Sequence, residues 1–170
     1  MAALLCHPEF RSDAVSSLEA RITRRSKELA VTYLIEGHIE RLRIPPPRAP
    51  RFADGLWRHT CCEIFIARPG MPAYHEFNFS PSGEWAAYAF STYRNGALLS
   101  DEALDPRIEV RTSADGFKLD AVIGCDPGKI AVGLSAVVEE LDGSISYWAL
   151  RHAPGKPDFH HSDAFALELA

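Results

Sequence analysis

Leu56–Phe90, LWRHTCCEIFIARPGMPAYHEFNFSPSGEWAAYAF, decides the fold. Thr60–Ala67 and Tyr74–Ser80 alternate large apolar and polar residues, and the Pro/Gly stretch Arg68–Ala73 closes them into a hairpin. Successive side chains of a strand point to opposite faces. Cys62, Ile64 and Ile66 therefore share one side with His75, Phe77 and Phe79, while Cys61, Glu63, Phe65, Tyr74, Glu76 and Asn78 share the other. Reading Pro81-Ser82-Gly83-Glu84 as a four-residue turn folds a third strand back. It predicts Tyr88 and Phe90 on the apolar side with Phe77 and His75. Trp85, Ala87 and Ala89 then fall on the side of Glu76 and Asn78. One face reads as core; the other combines acids, an amide, aromatics and small residues.

A polar face on an antiparallel sheet is most simply a wetted one. Three features pull this face toward ligand binding. Acidic and amide groups stand where solvated strands usually carry Lys, Arg or Thr. Aromatics lie beside them, and the alanines leave room above the sheet.

Outward from this block, the chain offers many short alternating runs. Leu29–Glu36 reads as a strand, Gly37-His38 as a turn, and Ile39–Ile44 as a further strand. Pro45-Pro46-Pro47 and Pro50 forbid regular pairing and make an extended connection. Asp13–Arg24 has some helical character but also alternates well enough for a strand. A turn is expected at Asn95-Gly96, and Gly96–Leu104 reads as irregular, the place for an inserted helix. Arg107–Thr112 and Phe117–Ile123 form a second hairpin. Ile130–Leu141 has helical spacing, but its β-branched content favours a strand. Ser144–His152 and Ala164–Ala170 complete the set. Strands at this spacing, separated by turn residues, predict an all-β sandwich or barrel in one domain over residues 1–170.

Composition narrows the function. The chain has 170 residues, 46% hydrophobic and 24% charged, with net charge −5. The negative balance argues against a dedicated nucleic-acid or anionic-membrane surface, and the basic run Arg21–Lys27 reads as a solvated edge or turn. No apolar stretch is long enough to span a membrane. MAALLCHPEF lacks the basic start and long apolar run of a signal peptide, so a cytoplasmic location is expected. Cys6, Cys61, Cys62 and Cys125 read as reduced thiols; adjacent Cys61 and Cys62 point to opposite faces and cannot act as a zinc pair.

Three blocks, LWRHTCCEIFI, YHEFNFSPSGEWAAYAF continuing into STYR, and YWALRHAPGKPDFHHSDAFALEL, resemble the signature blocks of bacterial DOMON-like proteins. That group is related to the family-nine carbohydrate-binding modules and to the haem- and sugar-binding DOMON domains. The resemblance implies an antiparallel β-sandwich of jelly-roll type with a ligand site on or beside one sheet. It leaves the ligand open, since one fold serves many functions.

Sugar recognition needs an aromatic platform for the ring face and carboxylates, amides or Arg for the hydroxyls. Trp57, Trp85 and Trp148 are the candidate platforms; Arg58, Glu63, Glu76, Asn78 and Arg151 are the candidate polar partners. The same resemblance raises haem, whose iron in such domains is held by His and Met. Met71 is the only internal methionine and lies in the Pro/Gly loop, with His59, His75, His152, His160 and His161 as possible partners. The reading assigns no haem, no metal and no catalytic residue. PDFHHSD, residues 157–163, is expected to close the structure before the last strand, with Phe159 packed inward and His160 or His161 bonded to backbone. Glu63 and Glu76 form the one carboxylate pair suited to acid–base work, without a neighbour that would clearly raise either pKa. The expected function is non-catalytic binding of a small polar ligand, a saccharide or polyol. The alternatives are a sugar-processing enzyme using the two acids, a haem domain, or a protein-interaction module.

Overall fold

A computed structural model describes residues 1–99 and 104–170. The described residues form two antiparallel sheets packed face to face. The smaller contains β1 (Ala2–Ala3), β3 (Val15–Arg25), β4 (Glu28–Gly37), β9 (Arg107–Thr112) and β10 (Gly116–Gly124), in the order β1-β3-β4-β10-β9. The larger runs β2 (Leu5–Cys6), β12 (Ile145–Ala149), β11 (Ile130–Glu139), β5 (Cys61–Ala67), β6 (Tyr74–Phe79), β7 (Trp85–Thr92), β8 (Asn95–Leu98), with β13 (Leu167–Leu169) also paired to β11. Asp13–Arg24 resolves as strand from Val15 onward, and Ile130–Leu141 through Glu139.

The alternation read from the sequence builds the core. Tyr33, Ile35, Phe117 and Leu119 from the small sheet meet Cys62, Ile64, Phe77 and Phe79 from the large one, all buried. The Tyr33 phenol crosses this core and donates to the backbone carbonyl of Glu63, fixing the depth at which β5 sits.

Three local expectations give way. Ile39–Arg41 is a single 3-10 turn, and only Leu42 makes a bridge, to Glu140, before the prolines end pairing. The turn expected at Asn95-Gly96 lies two residues earlier, at Tyr93-Arg94, because Thr92 pairs with Asn95; Arg94 takes the positive φ of 54°. Within Gly96–Leu104, residues 96–98 are strand, and 100–103 lie outside the described residues.

A fourth difference moves a whole strand. Ser80 N–H donates to Glu84 O at 2.9 Å and Gly83 N–H to Ser80 O at 3.0 Å, so the loop between β6 and β7 has three residues, not four. Gly83, at φ +90°, takes the left-handed position that closes such a loop. The Ser82 hydroxyl bonds Ser80 Oγ at 2.9 Å and Glu84 Oε2 at 3.0 Å, holding the tight form. A one-residue slip exchanges the faces. Phe79 is paired with Trp85, Phe77 with Ala87, Asn78 with Ala86 and Glu76 with Tyr88. Trp85 and Ala87 therefore enter the core, whereas Tyr88 and Phe90 move to the face of Glu76.

Candidate functional site

The outer face of the large sheet is not simply wetted. After β12 the chain turns back across it, and Phe159 is buried there in a second cluster with Phe65, Tyr74 and Val137. Gly133 on β11 makes this possible: a Cβ there would meet Phe165 Cδ1 at 3.0 Å and Ala164 O at 3.1 Å. His160 follows Phe159 and packs edge-on against Phe65 and Phe90 at 5.1 and 5.0 Å between ring centroids. Phe159 packs inward and His161 bonds backbone as the sequence suggests, while the His160 ring bonds a side chain: its Nδ1 lies 2.9 Å from the Tyr74 hydroxyl. The same hydroxyl accepts the Arg94 backbone N–H at 3.0 Å. His161 Nδ1 accepts the backbone N–H of Asp163.

Between this returning segment and the sheet lies a cavity of about 530 Å³. Glu63, Glu76, Tyr88 and Val137 supply its floor; Phe90, Tyr147 and Phe159 its aromatic flank; Trp57, Arg58, Arg94 and His160 its rim. The rim is pinned on two sides. Tyr88 Oη donates to Asp54 Oδ1 at 2.7 Å and accepts the Gly55 N–H at 3.3 Å, holding the start of the turn that carries Trp57 and Arg58. At the far end of that turn His59 Nδ1 meets Glu139 Oε2 at 2.7 Å, and Thr60 Oγ1 donates to Arg43 O at 2.9 Å. Trp57 is left 47% exposed, with the Arg58 guanidinium 5.2 Å from its ring centroid. Across the mouth Arg94 bonds Asp158 at 2.9 Å, and Tyr93 Oη donates to the other oxygen of that carboxylate. Burial works against the Asp158 charge, but these two bonds outweigh it and hold its carboxyl below the usual range.

The electrostatics of the floor differ from the sequence expectation. Burial pushes the Glu63 carboxyl well above its usual pKa, and neighbouring Glu76 adds to the rise. Burial likewise lifts Glu76 to about 7. The Asn78 amide and Arg94 offset part of the Glu76 rise, although neither Asn78 amide atom reaches hydrogen-bond geometry with any partner. Burial lowers His160 to about 4. Its Nε2 lies 3.7 Å from Glu76 Oε2, so near neutral pH this is an uncharged imidazole beside a titrating carboxyl, not an ion pair.

One row of the sheet stands out. Ser135, Glu63, Asn78 and Ala86 lie directly opposite one another on β11, β5, β6 and β7. Ser135 Oγ and both amide atoms of Asn78 are buried without a partner. Such groups cost about 1–3 kcal/mol each.

Four of the residues singled out in the sequence line the cavity: Trp57, Arg58, Glu63 and Glu76. Asn78 lies on the same face, directly opposite Glu63. Trp85 and Trp148 instead belong to the core between the sheets, where Trp148 Nε1 donates to Ser146 Oγ at 2.9 Å. For Trp85 the cause is the three-residue loop; for Trp148 it is the parity of β12, which turns Tyr147 and Ala149 to the outer face. Arg151 is exposed and does not line the cavity. Sequence reasoning missed Tyr88, Phe90, Arg94 and Tyr147 as lining residues, and weighed His160 only as a haem partner or a backbone-bonded closure. The residues do not fit a haem: Met71 is exposed, His152 Nε2 bonds Leu5 O at 2.7 Å, and His160 is held by Tyr74. Among the described residues no three His, Cys, Asp or Glu side chains gather as metal ligands would.

These features define the protein first by class: an antiparallel β-sandwich with an aromatic-walled, acid-floored cavity on one sheet. The particular structures with this fold include a protein from Bacteroides uniformis assigned as carbohydrate-binding. It matches with TM-score 0.69 over 96% of this chain and 81% of its own, at 13% identity. A carbohydrate binding module of family 9 from Caldicellulosiruptor kristjanssonii, in complex with glucose, matches with TM-score 0.53 over 89% of this chain and 74% of its own, at 11% identity. A family 9 module from the same organism in complex with cellotriose gives 0.52, 84% and 70%, at 12% identity. At these identities the likeness is one of fold. No family model and no curated protein matches the sequence.

Proposed function

We propose that the chain binds a saccharide or related polyol in this cavity without transforming it. The observation that carries the reading is the pairing, in one 530 Å³ cavity, of an exposed indole with two buried carboxyls. An indole face covers ring C–H groups, the acids engage hydroxyls, and a few oriented polar contacts on an apolar wall are what a small-ligand site needs. The fold shared with modules solved in complex with glucose and cellotriose supports the same reading, as does the DOMON-like resemblance of the sequence blocks. Sheet residues fix the floor while rim residues set access, so Trp57 is the residue bet to stack and Glu63 and Glu76 the residues bet to orient.

A sugar-processing enzyme would use the same two acids. Glycoside hydrolysis needs one carboxyl protonated and the other ionised. Here burial raises both, and the binding reading rests on the exposed indole that stands beside them. Isothermal calorimetry against mono- and oligosaccharides tests the proposal. Saturable binding without product formation is expected, weakened at least about tenfold by Trp57→Ala and by Glu76→Ala. Hydrolysis of a bound oligosaccharide, abolished by Glu76→Gln, would replace the proposal with the enzyme reading.

A further inference from the structure

The floor of the cavity holds two acids that lack a committed counter-charge. Among the described residues, the only basic group within salt-bridge reach of either is His160, and burial keeps that imidazole neutral. Arg94 is engaged by Asp158 and Tyr93, and Arg58 lies over Trp57. The other ionisable groups around the pair are neutral: the phenols of Tyr74 from β6, Tyr88 from β7 and Tyr147 from β12, and the buried Cys61 thiol from β5. The sheet row through Glu63 is also short of hydrogen bonds, beneath the cavity lining rather than in it. Asn78, fully buried directly opposite Glu63 and beside Glu76, leaves both amide atoms unbonded, and Ser135 Oγ on the other side of Glu63 is unbonded too. Around the acids stand Tyr88, Phe90, Tyr147 and Phe159, whose ring faces attract cations once water is excluded.

We infer that the ligand carries an ammonium group, and that this cavity is built for an amino sugar with a free amine, bound through its cation at Glu63 and Glu76. The inference rests on the saccharide reading of the same site. A neutral sugar would leave two desolvated acids to keep their protons; an ammonium supplies the missing charge inside the low-dielectric cavity. The arginines at the mouth do not forbid it: Arg94 is neutralised by Asp158, and Arg58 is exposed and screened by solvent. Binding the cation ionises one carboxyl of the pair, and the proton that carboxyl held passes to the buffer.

Calorimetric titration with glucosamine, glucose and N-acetylglucosamine just below neutral pH, in two buffers of different ionisation enthalpy, tests this. Glucosamine should bind at least about tenfold tighter than the two neutral sugars. Its apparent enthalpy should shift between buffers in the sense of proton release. Glu63→Gln and Glu76→Gln should remove the preference while leaving the thermal unfolding transition cooperative. The comparison of three sugars and two buffers on the unaltered protein needs no variant to fold. Glucose binding as tightly as glucosamine, or a preference without proton release, would overturn the amine inference and leave the saccharide reading standing. Failure of all three sugars to bind would remove both.

Discussion

Tyr88 lies directly opposite Glu76 in the ladder between β6 and β7. The pairing puts a phenol beside the buried acid, and that phenol also ties down the turn carrying Trp57. Floor and rim of the cavity thus share one residue, placed there by the length of the loop at residues 81–83.

The register separates two neighbouring aromatics by function. Trp85→Ala should cost about 3–5 kcal/mol, the range for emptying a large core position, and should leave ligand affinity nearly unchanged in the folded fraction. Tyr88→Phe should cost about 1 kcal/mol or less, through its bonds to Asp54 and Gly55, yet weaken binding by loosening Trp57. Urea denaturation with parallel titrations checks both; the opposite assignment of effects would restore the four-residue turn.

Gly83→Ala should destabilise by about 1–2 kcal/mol, because φ of +90° is costly for any residue with a Cβ. The added Cβ would also lie 3.3 Å from Arg48 O, on the proline-rich connection that runs beside β7. Chemical denaturation measures the loss.

In the pH dependence of stability Glu76 and His160 oppose one another, and Glu63, raised by burial, acts in the sense of Glu76. Glu76, raised from the ordinary 4.5 to about 7, keeps its proton more tightly when folded, so its contribution is present at low pH and is lost as pH rises from 4.5 through 7. His160, lowered from 6.5 to about 4, acts oppositely: its contribution is present above 6.5 and is lost as pH falls through 4. Glu76→Gln should remove the Glu76 contribution and leave those of Glu63 and His160. The variant should then be more stable than the wild type above pH 7, by at most about 3 kcal/mol, and should weaken toward acid. Thermal melts across this pH range check it; an unchanged pH profile would contradict the burial argument.

Arg94→Ala should free Asp158 and the segment behind it. The guanidinium is half-exposed, so global stability should change by about 1 kcal/mol or less. Amide hydrogen exchange over residues 157–161 should rise while that of β5 and β6 stays slow.

The hairpin from Cys61 to Phe79 was legible in the sequence because its period-two pattern is unbroken and its faces differ in chemistry. That alone placed Glu63, Glu76 and Asn78 on one face, with Asn78 opposite Glu63. The next strand was not legible, since three- and four-residue turns suit Ser-Pro-Ser-Gly-Glu equally, and the choice lies in the hydroxyl bonds of Ser80 and Ser82. Nor did the sequence show that residues 157–165 would cover the polar face. Phe159, His160 and Phe165 sit in a segment without periodicity, and their partners Phe65 and Tyr74 are far away in the chain. The raised acids follow from that cover.

Tryptophan emission offers the most direct test of saccharide binding, because Trp85 and Trp148 are 6% and 7% exposed while Trp57 is 47% exposed at the cavity rim. Titration with saccharides, amino sugars included, should give a saturable blue shift as the ring covers the indole, and Trp57→Phe should abolish the shift without altering the buried emission. Binding that leaves Trp57 emission unchanged, or no binding by any sugar, would contradict the account.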